Sequence, residues 1–289
     1  MDNTYCPLVS IGMPVFNESR FVKDSLCSIL SQDYPNLEII ISDNASGDET
    51  YNICRKLISN RDDASIHRFE TNMGAAENFR YVLQVSTGKY FMWASGHDLW
   101  DSNYISETVA LLEMYPDAVI AFGSSVWIDE NGFRLSRYFG YLDTRGMTTI
   151  ARFFAIFWGN MHPVLGLIRR SALSEEISVI SAVGTDLIIL SKLALKGDFI
   201  HSPKVSWQRR EFRSEVSHAE KLNRYRSADC GLTRSVLDKY FPLLRLPLEL
   251  IKNMLSSNLS FIEKTASLLA LLASYPVRYL AGKKQLNKK

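Results

Sequence analysis

Short apolar stretches alternate with longer amphipathic stretches along the first 122 residues. The apolar stretches, several of them rich in isoleucine and valine, predict buried strands at residues 8–13, 37–42, 66–69, 89–94 and 118–122. The amphipathic stretches between them predict helices at residues 18–31, 48–59, 74–85 and 103–114. Strands and helices that alternate with short connections are typical of a doubly wound, mostly parallel α/β sheet flanked by helices.

The second half of the chain is less regular. Its pattern predicts strands at residues 124–129 and 163–169, and helices at residues 149–158 and 187–195. From about residue 215 the pattern is mainly helical. We therefore expect an α/β domain at residues 1–217 and a helical C-terminal extension at residues 218–289.

Polar residues follow three of the predicted strands, at residues 14–18, 43–48 and 95–98. The strands of a parallel sheet end at one common edge, and ligands of such sheets bind outside that edge. We therefore expect one site assembled from separate loops, in which carboxylates distant in sequence surround a single cleft.

Composition and charge narrow the class of protein. Hydrophobic residues make up 46% and charged residues 22%, which excludes wholesale disorder and a coiled coil. The net charge of +2 makes no case for nucleic-acid binding. Residues 240–289 carry eight Lys and Arg against two Glu, so this tail contributes +6 and the remaining residues −4.

The cysteines and the apolar stretches indicate a cytoplasmic protein. Four cysteines show no C-x-x-C spacing and no nearby histidine, which favours reduced thiols over a finger-type zinc site. The N-terminal residues have no apolar core of a signal peptide. The longest apolar stretch, residues 266–280, is only about 15 residues long, whereas a membrane-spanning helix needs roughly 20.

Two polar loops carry the first candidate chemistry. The segment 14–18 (Pro-Val-Phe-Asn-Glu) makes a tight turn after a strand, and Asn17 is able to cap the helix that follows. Asp43 lies at the tip of the next strand, where a carboxylate can accept a hydrogen bond from a base N–H. Ordinary turn and cap chemistry, with Asp48 as a second cap, is the alternative for these residues.

Together the two loops resemble the start of family 2 glycosyltransferases. That family reads P-x-[YF]-N-E and then D-D-x-S-x-D, and here Asn44 replaces the second aspartate of the pair. Asn72-Met73-Gly74, with Asn78 after it, resembles a further segment of the family. The resemblance implies that a nucleotide sugar is bound by Pro14, Phe16, Asn17, Glu18, Asp43, Ser46, Asn72, Gly74, Asn78, His97 and Arg213.

A candidate metal ligand follows the strand at residues 89–94. In family 2 glycosyltransferases this strand leads to a D-x-D or x-D-D cluster that holds a divalent metal, and here only Asp98 of it is present. The resemblance implies that Asp98 binds Mn²⁺ or Mg²⁺, which would stabilise the charge of a diphosphate leaving group. His97 either joins as a ligand, which suits Mn²⁺, or points elsewhere and leaves the metal to Asp98, diphosphate and water.

Asp186 is the candidate general base. Residues 183–197 resemble the family's [GE]-x-D-x-x-[LF]-x-x-R-x-x-x-x-G element, in which Asp186 occupies the position of the aspartate. A carboxylate there would take the proton of the acceptor hydroxyl as attack proceeds. The alternative is that Asp186 merely caps the following helix.

One arginine is a candidate to neutralise the diphosphate. Residues 207–218 resemble the family's late strand followed by [YF]-R-x-x-x-x-S, which points to Arg213 or Arg210 without deciding between them. Exposed surface arginines are the alternative.

The resemblance covers residues 7–217 and implies a GT-A fold with inverting transfer of one sugar from a nucleotide sugar to a hydroxyl acceptor. The acceptor would be a saccharide or lipid-linked saccharide of bacterial surface polysaccharide, such as O-antigen or capsule. Aromatic side chains that could stack on its rings are Tyr138, Phe139, Tyr141, Trp158 and His162.

Two other functions are compatible with parts of this pattern. A noncatalytic nucleotide-sugar-binding partner subunit is the main alternative, because one metal-ligating acid is missing at position 97. A nucleotidyltransferase is disfavoured, because the first loop lacks a glycine-rich, basic cradle for triphosphate.

Two interpretations of the basic tail remain open. Residues 240–289 form either a helical hairpin packed on the domain with a solvated basic end, or an amphipathic helix that makes a peripheral contact with anionic lipids. The second interpretation places the protein on the inner face of the plasma membrane, where a lipid-linked acceptor would be found.

Overall fold

A mixed eight-stranded sheet forms the centre of the part of the chain that the structure describes. The structure is a computed structural model and describes residues 6–137, 142–160, 162–173, 184–212 and 244–286. The strands are β1 (Val9–Val15), β2 (Leu37–Asp43), β3 (Ala64–Arg68), β4 (Tyr90–Trp93), β5 (Leu99–Trp100), β6 (Ala118–Ile128), β7 (Leu167–Arg169) and β8 (Asp198–Arg210).

Helices cover the sheet and extend beyond it. The α-helices of the described residues are α1 (Val22–Leu30), α2 (Thr50–Leu57), α3 (Ala75–Gln84), α4 (Tyr104–Met114), α5 (Thr149–Trp158), α6 (Thr185–Ala194), α7 (Arg245–Leu255) and α8 (Phe261–Leu286). Two short 3₁₀-helices, His162–Leu165 and Arg170–Ala172, flank β7.

The strands lie in the order β3-β2-β1-β4-β7-β6-β8-β5. The first four are parallel to one another, and β6 and β8 are parallel to each other. β7 runs antiparallel between β4 and β6, and β5 adds antiparallel to β8. The predicted α/β sheet flanked by helices, with a helical C-terminal part, is confirmed; its antiparallel strands lie in the half that follows β4.

β1 is buried along its entire length and separates two layers of the core. On one face Ile11 and Met13 pack in a cluster with residues of α1 and α4. On the other face the neighbouring strand β4 contributes Phe91 and Trp93, which pack with Val82 of α3. Strands buried on both faces read as continuous apolar runs, and this explains why the sequence pattern predicts them well.

Two predicted details of the first loop are wrong. α1 begins at Val22 rather than at residue 18. The backbone N–H groups of Glu18 and Ser19 donate to Thr50 Oγ1 and Asp48 Oδ2, at the start of α2 and in the loop before it. Asn17 is not a helix cap and adopts the left-handed conformation with φ 52°, which asparagine tolerates better than most residues.

The strand β1 also continues through Pro14, where the sequence pattern predicts its end. Ala94 N–H, just after β4, donates to the carbonyl of Gly12. Because backbone groups two residues apart along a strand face the same side, the backbone of Pro14 also faces β4. β4 ends at Trp93, opposite Gly12. Pro14 therefore lies beyond the paired part of β4, where its missing N–H removes no bond of the sheet.

The C-terminal helices pack on α5 and α6 through one face. Leu250 and Met254 of α7 and Leu271 of α8 are buried in a cluster with Phe153 and Phe157 of α5. No helix of the described ranges has an apolar stretch long enough to cross a membrane. The predicted boundary at residues 217 and 218 lies outside the described residues and stays a prediction.

Candidate functional site

The first two polar loops meet at the carboxyl ends of β1 and β2. The parallel register places Val15 opposite Asp43, so the loops leave the sheet side by side. Asn17 N–H donates to Ser46 Oγ at 2.9 Å, and Gly47 N–H donates back to Asn17 Oδ1 at 2.9 Å. The left-handed backbone of Asn17 makes this reciprocal pair possible, and each loop fixes the conformation of the other. Phe16 lies half-buried beside this pair.

Asp43 is fully buried at the end of β2. Its Oδ2 accepts from Ser46 N–H at 3.1 Å and lies 3.2 Å from Nε of Arg68, while Oδ1 has no hydrogen-bond partner within the described chain. Arg68 also lies over the Tyr51 ring, 4.8 Å from its centroid. Because Arg68 closes this side, the predicted contact of Asp43 with a base requires the arginine to move, and that role stays a prediction.

Asn44, which replaces the second aspartate of the family pattern, joins the second loop to α3. Its Nδ2 donates to Asn72 Oδ1 at 2.8 Å, and its Oδ1 accepts from Met73 N–H at 2.8 Å. An aspartate at position 44 could accept but not donate. Asn72 Oδ1 also accepts from the N–H of Gly74, the residue immediately before α3, which has φ 84°.

Asn78 fastens α3 to the first strand. Its Nδ2 donates to the carbonyl of Val15 at 3.1 Å, and the residue is buried. Asn72, Gly74 and Asn78 therefore hold the loops that follow β1 and β2 in place. Their predicted contact with a nucleotide sugar stays a prediction.

His97 connects these loops to the loop after β4. Its Nδ1 lies 3.0 Å from Oε1 of Glu18, and its ring packs edge-on against Phe212 with centroids 4.9 Å apart. Gly96 allows this approach, since a Cβ there would lie 3.0 Å from Glu18 Cγ. Thus Glu18, predicted to contact the donor, holds the histidine that precedes the candidate metal ligand.

Asp98 is anchored by the last strand. Trp207 Nε1 donates to Oδ2 at 3.0 Å and Arg210 N–H donates to Oδ1 at 2.9 Å, so both carboxylate oxygens accept from β8. The residue is 2% exposed. Pairing of β5 with β8, which places Leu99 opposite Gln208, brings these groups together.

A cleft of about 510 Å³ opens beside Asp98. It combines aromatic and apolar walls with five titratable or cationic side chains. The lining residues are Phe79, Trp93, Ser95, His97, Asp98, His162, Val164, Leu165, Thr185, Asp186, Ile189, Trp207 and Arg209. The structure thus brings His97, Asp98 and Asp186 to one cleft, as the motif order predicts, but Asp43 does not line it.

Asp186 lies in the first turn of α6, where the helix dipole favours a carboxylate. The capping position is Gly184 with φ 88°, so the alternative that Asp186 caps the helix is wrong. Among the described residues Asp186 has no hydrogen bond or ion pair, and its side chain is open to solvent. Desolvation by the surrounding protein nevertheless raises the pKa of this carboxyl, and the positive charge of the Arg209 guanidinium partly opposes this rise.

Arg209 lines the cleft, and no sequence motif pointed to it. Its guanidinium lies over the Trp127 ring, 4.5 Å from the centroid, and its charge reaches Asp186 and His162. Side chains of successive strand residues point to opposite faces, so Arg209 shares the cleft side with Trp207 while Arg210 turns away. A strand predicted across residues 198–210 would have placed Arg209 on the same face as Trp207 by alternation.

The two arginines predicted for the diphosphate are placed differently. Arg210 is buried, and its guanidinium donates to the carbonyls of His97 at 3.0 Å and Glu130 at 2.9 Å. These contacts make Arg210 part of the scaffold behind the cleft. Arg213 lies outside the described residues.

His162 forms part of the cleft wall as a neutral side chain. Burial first, and then the nearby Arg209 charge, lowers the pKa of His162 to about 4. Its Nδ1 lies 2.6 Å from Ser125 Oγ, and its ring meets that of Trp207 edge-on. Of the aromatic residues predicted to contact an acceptor, Trp158 lines a neighbouring cavity with His162, and residues 138–141 are not described.

Asp98 is the residue that the family resemblance assigns to a metal, with His97 beside it, and this assignment stays a prediction. Within the described ranges, no group of three His, Cys, Asp or Glu side chains could hold a metal ion. Each oxygen of Asp98 keeps a lone pair beyond its hydrogen bond, and His97 Nε2 lies 3.8 Å from Oδ1. This donor set fits a divalent cation that takes most of its ligands from substrate phosphates and water.

The model of glycosyl transferase family 2 matches residues 10–176 of this chain. A glycosyltransferase of Rickettsia felis, described as uncharacterized, is 34% identical over 136 residues, which are 46% of this chain and 22% of that protein. The putative glycosyltransferase EpsE of Bacillus subtilis is 32% identical over 132 residues, which are 45% of this chain and 48% of that protein. The chain spans less than half the length of these curated relatives.

Solved structures of similar fold come from two further organisms. TarS 1–349 of S. aureus in complex with UDP-GlcNAc has a TM-score of 0.67 at 17% identity, over 92% of this chain and 71% of that one. The mannosyltransferase PcManGT from Pyrobaculum calidifontis in complex with GDP-Man and Mn²⁺ has a TM-score of 0.56 at 20% identity, over 98% and 85%. These likenesses confirm the GT-A fold. Because the family model covers more than half of the residues, the chain belongs to glycosyl transferase family 2.

Proposed function

We propose that this chain is an inverting glycosyltransferase that moves one sugar from a nucleotide sugar to a hydroxyl acceptor. The observation that carries the proposal is the Asp186 carboxylate, which has no partner among the described residues and opens into the cleft that holds Asp98 and Arg209. A carboxylate in a cleft with a cation nearby is the minimum that such a displacement requires. The α/β domain of residues 1–217 would carry this activity.

In this proposal Asp186 is the general base. The acceptor oxygen attacks the anomeric carbon of the donor sugar, the bond from that carbon to the diphosphate oxygen breaks, and the proton of the acceptor hydroxyl passes to an Asp186 oxygen. A single displacement of this kind inverts the anomeric carbon. The raised pKa of Asp186 makes it a stronger base once it is ionised.

Arg209 holds the departing diphosphate in the same scheme. Its guanidinium is a planar, permanently charged donor that suits phosphate oxygens, and the Trp127 ring supports it from behind. A divalent metal bound through Asp98, with His97 beside it, would neutralise part of the same charge. Arg213 remains a second candidate for this contact.

The acceptor is a saccharide or lipid-linked saccharide, and we place the reaction in bacterial surface polysaccharide synthesis on the cytoplasmic side of the membrane. Trp207 and His162 give the cleft an aromatic wall of the type that packs against sugar rings. The similarity to the putative glycosyltransferase EpsE, and the shared fold with TarS solved in complex with UDP-GlcNAc, support sugar transfer from a nucleotide sugar. The basic C-terminal helices supply a peripheral membrane contact.

A panel of nucleotide sugars tests the proposal. Thermal stabilisation of the protein, with and without Mn²⁺ or Mg²⁺, identifies the donor, and release of nucleoside diphosphate in the presence of saccharide acceptors measures turnover. Asp186→Asn should lower turnover by about 10²–10⁴-fold while donor stabilisation is retained, because only the proton acceptor is lost.

Exposed Asp62 provides the matched control, since Asp62→Asn removes the same charge at a residue that does not line the cleft. Wild-type turnover in Asp186→Asn would contradict the assignment of the base. Donor stabilisation with no product from any donor would instead support a noncatalytic nucleotide-sugar-binding subunit, which the missing acid at position 97 favours.

A further inference from the structure

The outward face of α8 is an uncharged apolar stripe. Residues 265–277 contain no charged side chain, and the exposed apolar residues of α8 are 57–84% accessible. These residues are Phe261, Ile262, Leu269, Leu272, Val277 and Leu280. A monomeric protein rarely exposes so many large apolar side chains along one helix.

The stripe is separate from the face that packs on the domain. Ser267 and Leu271 are buried against the neighbouring helices, and Arg278 turns inward to the Phe157 carbonyl and ring. At 3.6 residues per turn, Leu269 lies half a turn away from Leu271, on the opposite side of the helix. The apolar stripe is therefore a second face that the fold does not use.

Positive charge accompanies the stripe. Lys283, Lys284, Lys288 and Lys289 follow Leu280 in the sequence, and residues 240–289 carry a net charge of +6. Glu263 is the acid of α8 itself, and it is used at the helix start, where it accepts from Ser260. Two copies of this tail would repel each other, whereas an anionic surface would attract it.

We propose that the outward face of α8 docks on an anionic lipid bilayer, with Leu269, Leu272 and Leu280 inserted among the acyl chains. A helix of this kind lies in the plane of the interface, with its apolar side buried and its basic residues near the headgroups. A flat apolar stripe without a pocket suits lipid, which needs no shape complementarity. The lysines give the preference for negative headgroups.

This docking deepens the proposed function, on which its biological purpose rests. α8 packs on α7 and α5, α7 packs on α6, and a Cβ on Gly184 would lie 2.9 Å from Leu246 of α7. The bilayer surface is thereby connected through one layer of helices to the turn that carries Asp186. An acceptor linked to lipid would reach the cleft from the membrane to which the protein is bound.

Vesicle flotation of the full chain tests the proposal. We expect binding to vesicles of phosphatidylcholine with phosphatidylglycerol, weak binding to phosphatidylcholine alone, and release by salt. Leu269→Ser/Leu272→Ser should weaken binding by about tenfold or more. Lys283→Gln/Lys284→Gln should weaken it by roughly tenfold at low salt and much less at high salt. Met114→Ser, an equally exposed apolar residue of α4, should leave binding unchanged.

Several results would overturn the docking. They are no binding of the wild type to anionic vesicles, equal binding of both vesicle types, or wild-type binding by both double variants. Self-association that the leucine variant abolishes, without vesicle binding, would make this face an interface between copies. Turnover with a water-soluble acceptor, which the leucine variant should retain, separates failure of the docking from failure of the proposed function.

Discussion

Replacement of Asp98 by asparagine tests whether this residue is a structural anchor as well as a candidate metal ligand. Its two oxygens accept from Trp207 Nε1 at 3.0 Å and from Arg210 N–H at 2.9 Å, in a residue that is 2% exposed. Asparagine offers one acceptor oxygen, so its NH₂ group must face one of the two donors. One buried donor is then left without a partner.

The expected loss of stability follows from these two contacts. A hydrogen bond to a charged acceptor contributes about 1.5–3 kcal/mol, and a buried donor without a partner costs about 1–3 kcal/mol. We therefore expect Asp98→Asn to lower the free energy of unfolding by about 3–5 kcal/mol. Asp62→Asn, at an exposed site, should change it by less than about 0.5 kcal/mol.

A double-mutant cycle with Trp207→Phe isolates the cost of the buried donor that is left without an acceptor. Phenylalanine keeps the ring but removes the donor, so Asp98→Asn should cost about 1–3 kcal/mol less in the Trp207→Phe background. Urea unfolding of the four proteins measures this difference. Additive effects, or an Asp98→Asn variant as stable as the wild type, would refute the structural role of Asp98.

The same variants separate the anchor from the metal ligand. If Asp98 also binds the cation, Mn²⁺ affinity in the presence of a nucleoside diphosphate should fall in Asp98→Asn/Trp207→Phe, which is expected to be better folded than Asp98→Asn alone. Mn²⁺ affinity equal to that of Trp207→Phe would count against the metal role and leave the structural one intact.

Two further predictions concern the cleft. Arg209→Gln should raise the pKa of Asp186, because the positive charge that lowers it is removed. Since the base must be ionised, the acid limb of the pH–rate profile should move to higher pH, whereas Arg209→Lys should leave that limb nearly in place. An unchanged limb in Arg209→Gln would contradict the electrostatic contact between Arg209 and Asp186. The other titratable side chains that line the cleft are His97, Asp98 and His162. Gly184→Ala should destabilise the fold by about 2–3 kcal/mol, because φ is +88° and the new Cβ crowds Leu246, and it should also lower turnover. Gly132→Ala is the control, because Gly132 has φ +89° but no atom within 4 Å of the new Cβ. We expect it to lower the free energy of unfolding by about 1–2 kcal/mol and to leave turnover unchanged. Equal losses of unfolding free energy in the two variants would show that the contact with Leu246 is unimportant.

The strands buried on both faces were predictable, and the short antiparallel ones were not. β1, β2 and β4 form continuous apolar runs, which a sheet covered by helices requires. β5 and β7 have two and three residues, too few for any periodicity to appear. β7 pairs between β4 and β6, and β5 pairs at the sheet edge beside β8. Both pairings depend on where those longer strands lie in the folded chain.

The sequence by itself determined the alternation of the longer strands and helices as far as residue 122, and it placed Asp98 after a strand and Asp186 near the start of a helix. It did so because burial and helical periodicity are local patterns. Only the tertiary structure decided which groups reach the cleft: it excludes Asp43 beneath Arg68, turns Arg210 inward and presents Arg209 in its place. Those outcomes depend on strand register and on partners more than 100 positions away along the chain, as for Asp98 and Trp207, and no local pattern of residues encodes such contacts.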